Sequence, residues 1–158
     1  MAPQVSVIGS GVEHERSAEE VGRLLAERGC TVVTGGGGEV MAAAARGAKK
    51  AGGATIGILP GDRHEAAGEW VDYVVVSGVG HARNLAVAAS GQAVIAVGGS
   101  WGTLSEIAFA RRLGRPVVIL EPGWELDGDG IERANSPAEA VERAVAHFGL
   151  GSDPVTNV

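Results

Sequence analysis

Residues 4–38, QVSVIGSGVEHERSAEEVGRLLAERGCTVVTGGGG, contain one complete strand–helix–strand unit. The apolar run Gln4–Gly9 is too short for a helix, is rich in β-branched residues and stops at Gly9-Ser10-Gly11, so it reads as a strand. Ser17-Ala-Glu-Glu20 has the spacing of a capping box, and Val21, Leu24 and Leu25 follow on one helical face. Thr31–Thr34 is the second strand and runs into four consecutive glycines, Gly35 to Gly38.

The same alternation continues outward. Ala54–Leu59, Tyr73–Val76, Ala93–Val97 and Pro116–Leu120 read as further strands. The intervening helices are expected at about 39–51, at about 82–90 with Leu85, Ala88 and Ala89 inward, and from near Thr103 to just before Gly114. Ser136-Pro137-Ala-Glu139 supplies the N-cap, first-turn proline and N3 glutamate of a fifth, which buries Val141, Val145 and Phe148. Alternation of this length predicts a doubly wound, Rossmann-like α/β domain: a mainly parallel sheet of about six or seven strands with helices on both faces. One domain over residues 1–150 is expected, with 151–158 as a tail. Only six residues are aromatic, so Ala, Val, Ile and Leu build the core, as suits a buried parallel sheet.

Composition narrows the function. A formal charge of −6 and scattered basic residues argue against a nucleic-acid surface, which needs a basic face. No apolar run reaches membrane-span length. Cys30 is the only cysteine, so no intrachain disulfide forms and a cytoplasmic setting is expected. The four histidines lack ligand spacing and Gly128 splits Asp127 from Asp129 in a turn-forming run, so no metal site is expected.

Glycines follow every early strand: Gly9-Ser10-Gly11, Gly35–Gly38, Pro60-Gly61, Ser77-Gly78 and Gly98-Gly99-Ser100. Those turns lie at carboxyl ends of strands, where open α/β sheets bind ligands. Two familiar ligand classes fail on inspection. Position 14, where a dinucleotide fingerprint has its third glycine, is His14, and Thr34 stands where the ribose-binding acid belongs. An oxidoreductase thus survives only as a fold-level analogy. No glycine loop ends in Lys-Ser or Lys-Thr, so a P-loop is absent. A different anion site is expected within His81–Glu106, HARNLAVAASGQAVIAVGGSWGTLSE. There Gly98, Gly99, Ser100, Trp101, Gly102 and Thr103 lead from a strand into a helix, whose N-terminal amides and dipole favour a phosphate. Glu106 has two readings at this point: the N3 partner of a Thr103 cap, or a carboxylate facing the ligand. Arg83 is either a solvated helix residue or part of the pocket.

Gly35-Gly36-Gly37-Gly38-Glu39-Val40-Met41 and Gly98-Gly99-Ser100-Trp101-Gly102-Thr103-Leu104-Ser105-Glu106 resemble the two motifs of the LONELY GUY (LOG) superfamily, which includes proteins labelled "possible lysine decarboxylase". The resemblance runs from Val5 to about Leu120. It implies a Rossmann-like homodimer and phosphoribohydrolase activity, in which the N-glycosidic bond of a nucleoside 5′-monophosphate is cleaved to free base and ribose 5-phosphate. It also implies catalytic roles for Arg83 and Glu106, and with the strand-end turns it places Gly9, Ser10, Gly35, Gly36, Gly37, Gly38, Met41, Asn84, Gly98, Gly99, Ser100, Trp101, Gly102 and Thr103 around the expected ligand. Val97 stands where the second motif has proline, and Asn84 where lysine follows the arginine. That pattern is closer to an uncharacterised bacterial branch and to molybdenum-cofactor carrier proteins, so the alternative is a non-catalytic carrier of a phosphorylated pterin. No resident cofactor is expected. Lysine decarboxylation by pyridoxal phosphate needs a lysine in the pocket, and the only lysines, Lys49 and Lys50, end a helix away from the glycine turns.

Overall fold

The computed structural model describes residues 1–122 and 125–148. The expected tail at 151–158, the end of the expected domain at Gly149-Leu150, and Trp124 lie outside them. Twelve main elements follow in order: β1 (Gln4–Ser10), α1 (Glu15–Glu27), β2 (Thr31–Thr34), α2 (Glu39–Lys50), β3 (Thr55–Leu59), β4 (Tyr73–Val76), α3 (Arg83–Ser90), β5 (Ala93–Gly98), α4 (Trp101–Arg112), β6 (Val117–Pro122), β7 (Ile131–Ala134) and α5 (Pro137–Ala146). Seven strands form one parallel sheet in the order β4-β3-β2-β1-β5-β6-β7. The order reverses at β1, which pairs with β2 on one side and β5 on the other. Such a reversal opens a crevice at the carboxyl ends of the two central strands.

The two faces bury separate cores. Val5, Val7, Val32, Ile95 and Val97 point toward α1, α2 and α5, while Ile8, Val33, Val94 and Ile119 point toward α3 and α4. This follows from the period-2 alternation of each strand in a sheet covered on both sides. Gly22 of α1 and Gly47 of α2 let those helices approach so closely that a Cβ at either would strike the other helix's backbone, at Ala44 O and Glu19 O. The buried Ser6 hydroxyl donates to Val87 O at 2.6 Å and ties β1 to α3.

Four local expectations are corrected. The capping box at Ser17 is not the start of α1, which already begins at Glu15; the Ser17 hydroxyl donates to Glu121 instead. Leu85 is exposed, and Asn84, Val87 and Ala88 are the buried residues of α3. Helix α4 begins two residues before Thr103, with Ser100 as N-cap. Finally, Ile131–Ala134 adds an edge strand beyond the six runs recognised in the sequence. The fifth helix starts as expected, with Ser136 Oγ accepting from the Glu139 N–H at 3.1 Å.

Candidate functional site

A cleft of about 190 Å³ opens at the β1/β5 crevice, lined by Gly9, Ser10, Met41, His81, Arg83, Asn84, Ser100, Gly102, Thr103 and Glu106. The ends of β1 and β5 supply its floor because they run side by side, Gly9 opposite Val97 and Ser10 opposite Gly98. Gly9 has no room for a side chain, since a Cβ there would run into Val97 O. The chain then turns through Gly98 and Gly99, at φ +62° and +149°, and enters α4. The Thr103 hydroxyl accepts from the Ser100 N–H at 3.3 Å, closing the first turn. The N-terminus of a helix beside a cleft is suited to an anion.

That geometry removes one reading of Glu106. With the N-cap at Ser100, the N3 position belongs to Thr103, and Glu106 lies one turn further along. It is 7% exposed and lines the cleft, and none of its hydrogen-bonding capacity is used by another described residue. Burial pushes its carboxyl up to about 7, against the opposing attraction of the Arg83 charge. A buried acceptor left open toward a cleft is a group held ready for something outside the chain.

Arg83 is differently employed. Its Nη1 donates to Gly35 O at 2.5 Å and to Ile58 O at 2.8 Å, while Nε is buried with no acceptor among the described residues. Burial pulls the guanidinium below its usual value, opposed by the Glu106 charge. The arginine therefore clips the β2–α2 turn to the end of β3. Asn84, in the position of the family lysine, is buried and donates to Ser105 Oγ at 3.1 Å; that hydroxyl in turn donates to Gly102 O at 2.6 Å. Asn84 thus braces the first turn of α4 from α3.

The remaining predicted residues sit around this centre without all lining it. Met41 lines the cleft and its sulfur receives the Gly35 N–H at 3.2 Å. Gly35, Gly36, Gly37 and Gly38 form the turn behind Arg83 and Met41 rather than the cleft wall, and Gly36 packs under Leu59. Gly98 and Gly99 shape the turn from beneath, and Trp101 is 76% exposed at the start of α4. Asp62, Arg63 and His64 follow β3 on the same edge but are exposed and outside the cleft. His81, exposed in the short turn before α3, is a lining residue the sequence did not single out; a lone histidine carries no spacing signal. A larger groove of about 600 Å³ runs beside α1 and α2. Glu19, Glu20, Arg23 and Lys50 in it are already ion-paired, so its size does not make it a site. Lys49 pairs with Asp72, so neither lysine is in the cleft.

Residues 2–147 match the SLOG cluster4 family. The chain belongs to that family. An uncharacterised protein of Archaeoglobus fulgidus is 39% identical to this SLOG cluster4 chain over 146 residues, 90% of this chain and 95% of the relative. Among solved structures, the molybdenum cofactor binding protein of Rippkaea orientalis is 33% identical, with a TM-score of 0.86 over 94% of this chain and 98% of the other. The molybdenum cofactor carrier protein of Chlamydomonas reinhardtii is 32% identical, with a TM-score of 0.85 over 94% and 99%. No helix among the described residues is long and apolar enough to cross a membrane.

Proposed function

We propose that this SLOG cluster4 protein binds a phosphorylated small molecule in the β1/β5 cleft and acts as a carrier of a phosphorylated pterin of the molybdenum-cofactor type. The Gly98–Thr103 turn would hold the phosphate through backbone amides, which suits a chain of net charge −6 because amides attract an anion without adding a cation. The observation that carries the carrier reading is the state of Arg83. Its Nη1 is committed to the Gly35 and Ile58 carbonyls, which anchors the arginine as a brace of the cleft wall. The kinship with two molybdenum-cofactor proteins over nearly their whole length supports the same choice.

A second reading, phosphoribohydrolysis, is favoured by Glu106 alone. A carboxyl raised to about 7 can exchange a proton near neutral pH and can steady the positive charge that grows on ribose as an N-glycosidic bond breaks. Two measurements separate the readings. Chromatography of a panel of nucleoside 5′-monophosphates, including AMP and its N6-isopentenyl analogue, reports free base. Molybdenum analysis and fluorescence of the oxidised pterin report retained cofactor after loading and desalting. The carrier reading expects retention near one equivalent and no base. Base release that Glu106→Gln abolishes would replace it with the hydrolase.

A homodimer and a cytoplasmic setting belong to the same proposal. Val79, ahead of α3, and Leu85, in its first turn, are exposed, and a second copy covering them would remove apolar surface from water. Light scattering at the expected dimer mass supports this; a monomer at micromolar concentration overturns it.

A further inference from the structure

One strand beyond the cleft, the same edge of the sheet holds a cluster that the proposed function does not use. The pairing of β6 with β5 skips a residue: Val97 faces Leu120 and Gly98 faces Pro122, which leaves Glu121 unpaired. Glu121 is also the one non-glycine among the described residues with positive φ, at +63°. For a side chain that left-handed conformation costs about 1–2 kcal/mol, and the bulges that need it ordinarily carry glycine. A bulge re-aims the side chain of its extra residue. Here the carboxylate is turned across the ends of β5 and β1, where one oxygen accepts from Ser17 Oγ and the other meets His14 Nδ1. His14 sits where a short 3-10 turn passes into α1. Its ring lies directly on Gly98, so that a Cβ added there would collide with His14 Cδ2 and lie 2.7 Å from Nε2.

Gly98 begins the turn that leads from β5 into α4, whose first residues line the cleft. Ser17 and His14 hold one carboxylate oxygen each, which denies the Glu121 side chain a second rotamer, and the His14 ring carries that hold onto the turn at Gly98. Strain of this kind persists only where the surroundings over-determine it, and it concentrates at functional sites. We infer that Glu121 is a positioning residue, whose strained bulge presses His14 onto Gly98 and so sets the Gly98–Ser100 turn in its anion-receiving form. The role of the turn rests on the function proposed above; the clasp itself does not.

The test uses the full chain carrying Glu121→Gly, which fits the left-handed bulge without strain but has no carboxylate, and Glu121→Gln, which keeps the side chain's shape. The first readout is amide hydrogen exchange. The reporters are the Ser100 amide, held by Thr103 Oγ1, and the Leu104 amide, held by Ser100 O, each taken relative to the amides of β1 and β2 in the same variant. The expected result is at least tenfold faster relative exchange at Ser100 and Leu104 in Glu121→Gly, less in Glu121→Gln, with no loss of melting temperature in the glycine variant. Uniform acceleration through the sheet, or none, overturns the clasp, because a merely structural role would loosen both regions together. The second readout is calorimetric titration with inorganic phosphate, expected to weaken at least tenfold in Glu121→Gly. A wild type that ignores phosphate sinks the proposed function and leaves the exchange ratio to decide the clasp. Fast relative exchange with unchanged phosphate affinity overturns the link between them.

Discussion

Replacing Glu106 by glutamine should stabilise the protein at pH 8 and leave it no more stable at pH 5. The carboxyl is 7% exposed and is pushed from 4.5 to about 7 by burial, with only the Arg83 charge opposing. The folded state thus holds the proton more tightly than the unfolded chain. Its contribution to stability is fully present below pH 4.5 and is lost as pH rises through 7. Moving the carboxyl from 4.5 to about 7 makes the loss about 3 kcal/mol. For a chain of this size that corresponds to roughly 6–12 °C of melting temperature. Glutamine keeps the volume and never ionises, although its buried amide adds a cost of about 1–3 kcal/mol if it finds no partner; that cost is the same at every pH. The assay is thermal unfolding of both proteins at pH 5, 6, 7 and 8 at one ionic strength. The difference between them should swing toward the variant by several degrees across this range. A difference that stays constant from pH 5 to pH 8 would refute the claim that Glu106 is an unpaired buried acid.

Three further substitutions test the anion turn, the Arg83 brace and an ion pair away from the cleft. Gly99→Asp places a Cβ 2.9 Å from Thr103 Cβ, in a backbone at φ +149°, and adds a negative charge to the turn; calorimetry should lose phosphate binding by more than tenfold, and retained affinity would move the anion elsewhere. Arg83→Ala strips donors from the carbonyls of Gly35 and Ile58, so denaturant unfolding should report a loss of about 2–4 kcal/mol; a neutral result would show that water replaces the guanidinium. Glu19, held down at about 2 by hydrogen bonds from Arg46 and Lys50, contributes stability above pH 4.5 that disappears as pH falls toward 2. Because Glu19 is 31% exposed, Glu19→Gln should cost only about 1 kcal/mol at pH 7 after solvent screening. The same variant melting with the wild type's acid slope would exclude this ion pair as its source.

The parallel sheet was legible because its signals are local and repeated: short β-branched runs, glycine turns and amphipathic helices at regular spacing. What escaped had no such signal. Ile131–Ala134 (IERA) contains two charges in four residues and is a strand only because it lies along the outer side of β6. Ser17 matched a cap by spacing, yet α1 had already begun at Glu15, and the hydroxyl found a partner 104 residues away. Leu85 lay on a plausible inward face, but α3 buries Asn84, Val87 and Ala88 instead. The turn from β5 into α4 was readable as a glycine-rich strand-to-helix junction. The employment of its neighbours was not, since Arg83 hydrogen-bonds across 48 and 25 residues of chain. Glu121 is the extreme case: a left-handed bulge announces itself by glycine, and this one is built from glutamate.

Carrier and hydrolase differ in what Glu106 must be when the ligand is seated. To steady a developing oxocarbenium ion the carboxyl must be ionised, whereas a phosphate dianion in the turn one helical turn away repels an ionised carboxylate. Like charges in one poorly solvated cleft drive the weaker acid to keep its proton. In a carrier nothing opposes this, so phosphate binding should be accompanied by proton uptake at Glu106. At pH 7.5 a group titrating at about 7 is mostly ionised, and binding should draw in a fraction of a proton, at most one. Calorimetry in buffers of different ionisation enthalpy measures that number. Inorganic phosphate titrates in the same range, so the quantity that matters is the difference between wild type and Glu106→Gln under identical conditions. Greater uptake by the wild type would mean a site that settles its ligand by neutralising its own acid, as a holder of phosphorylated cargo can. Equal uptake by the two proteins would mean that Glu106 stays ionised beside the phosphate, at an electrostatic cost that only a chemical step would justify, and the hydrolase would become the better reading.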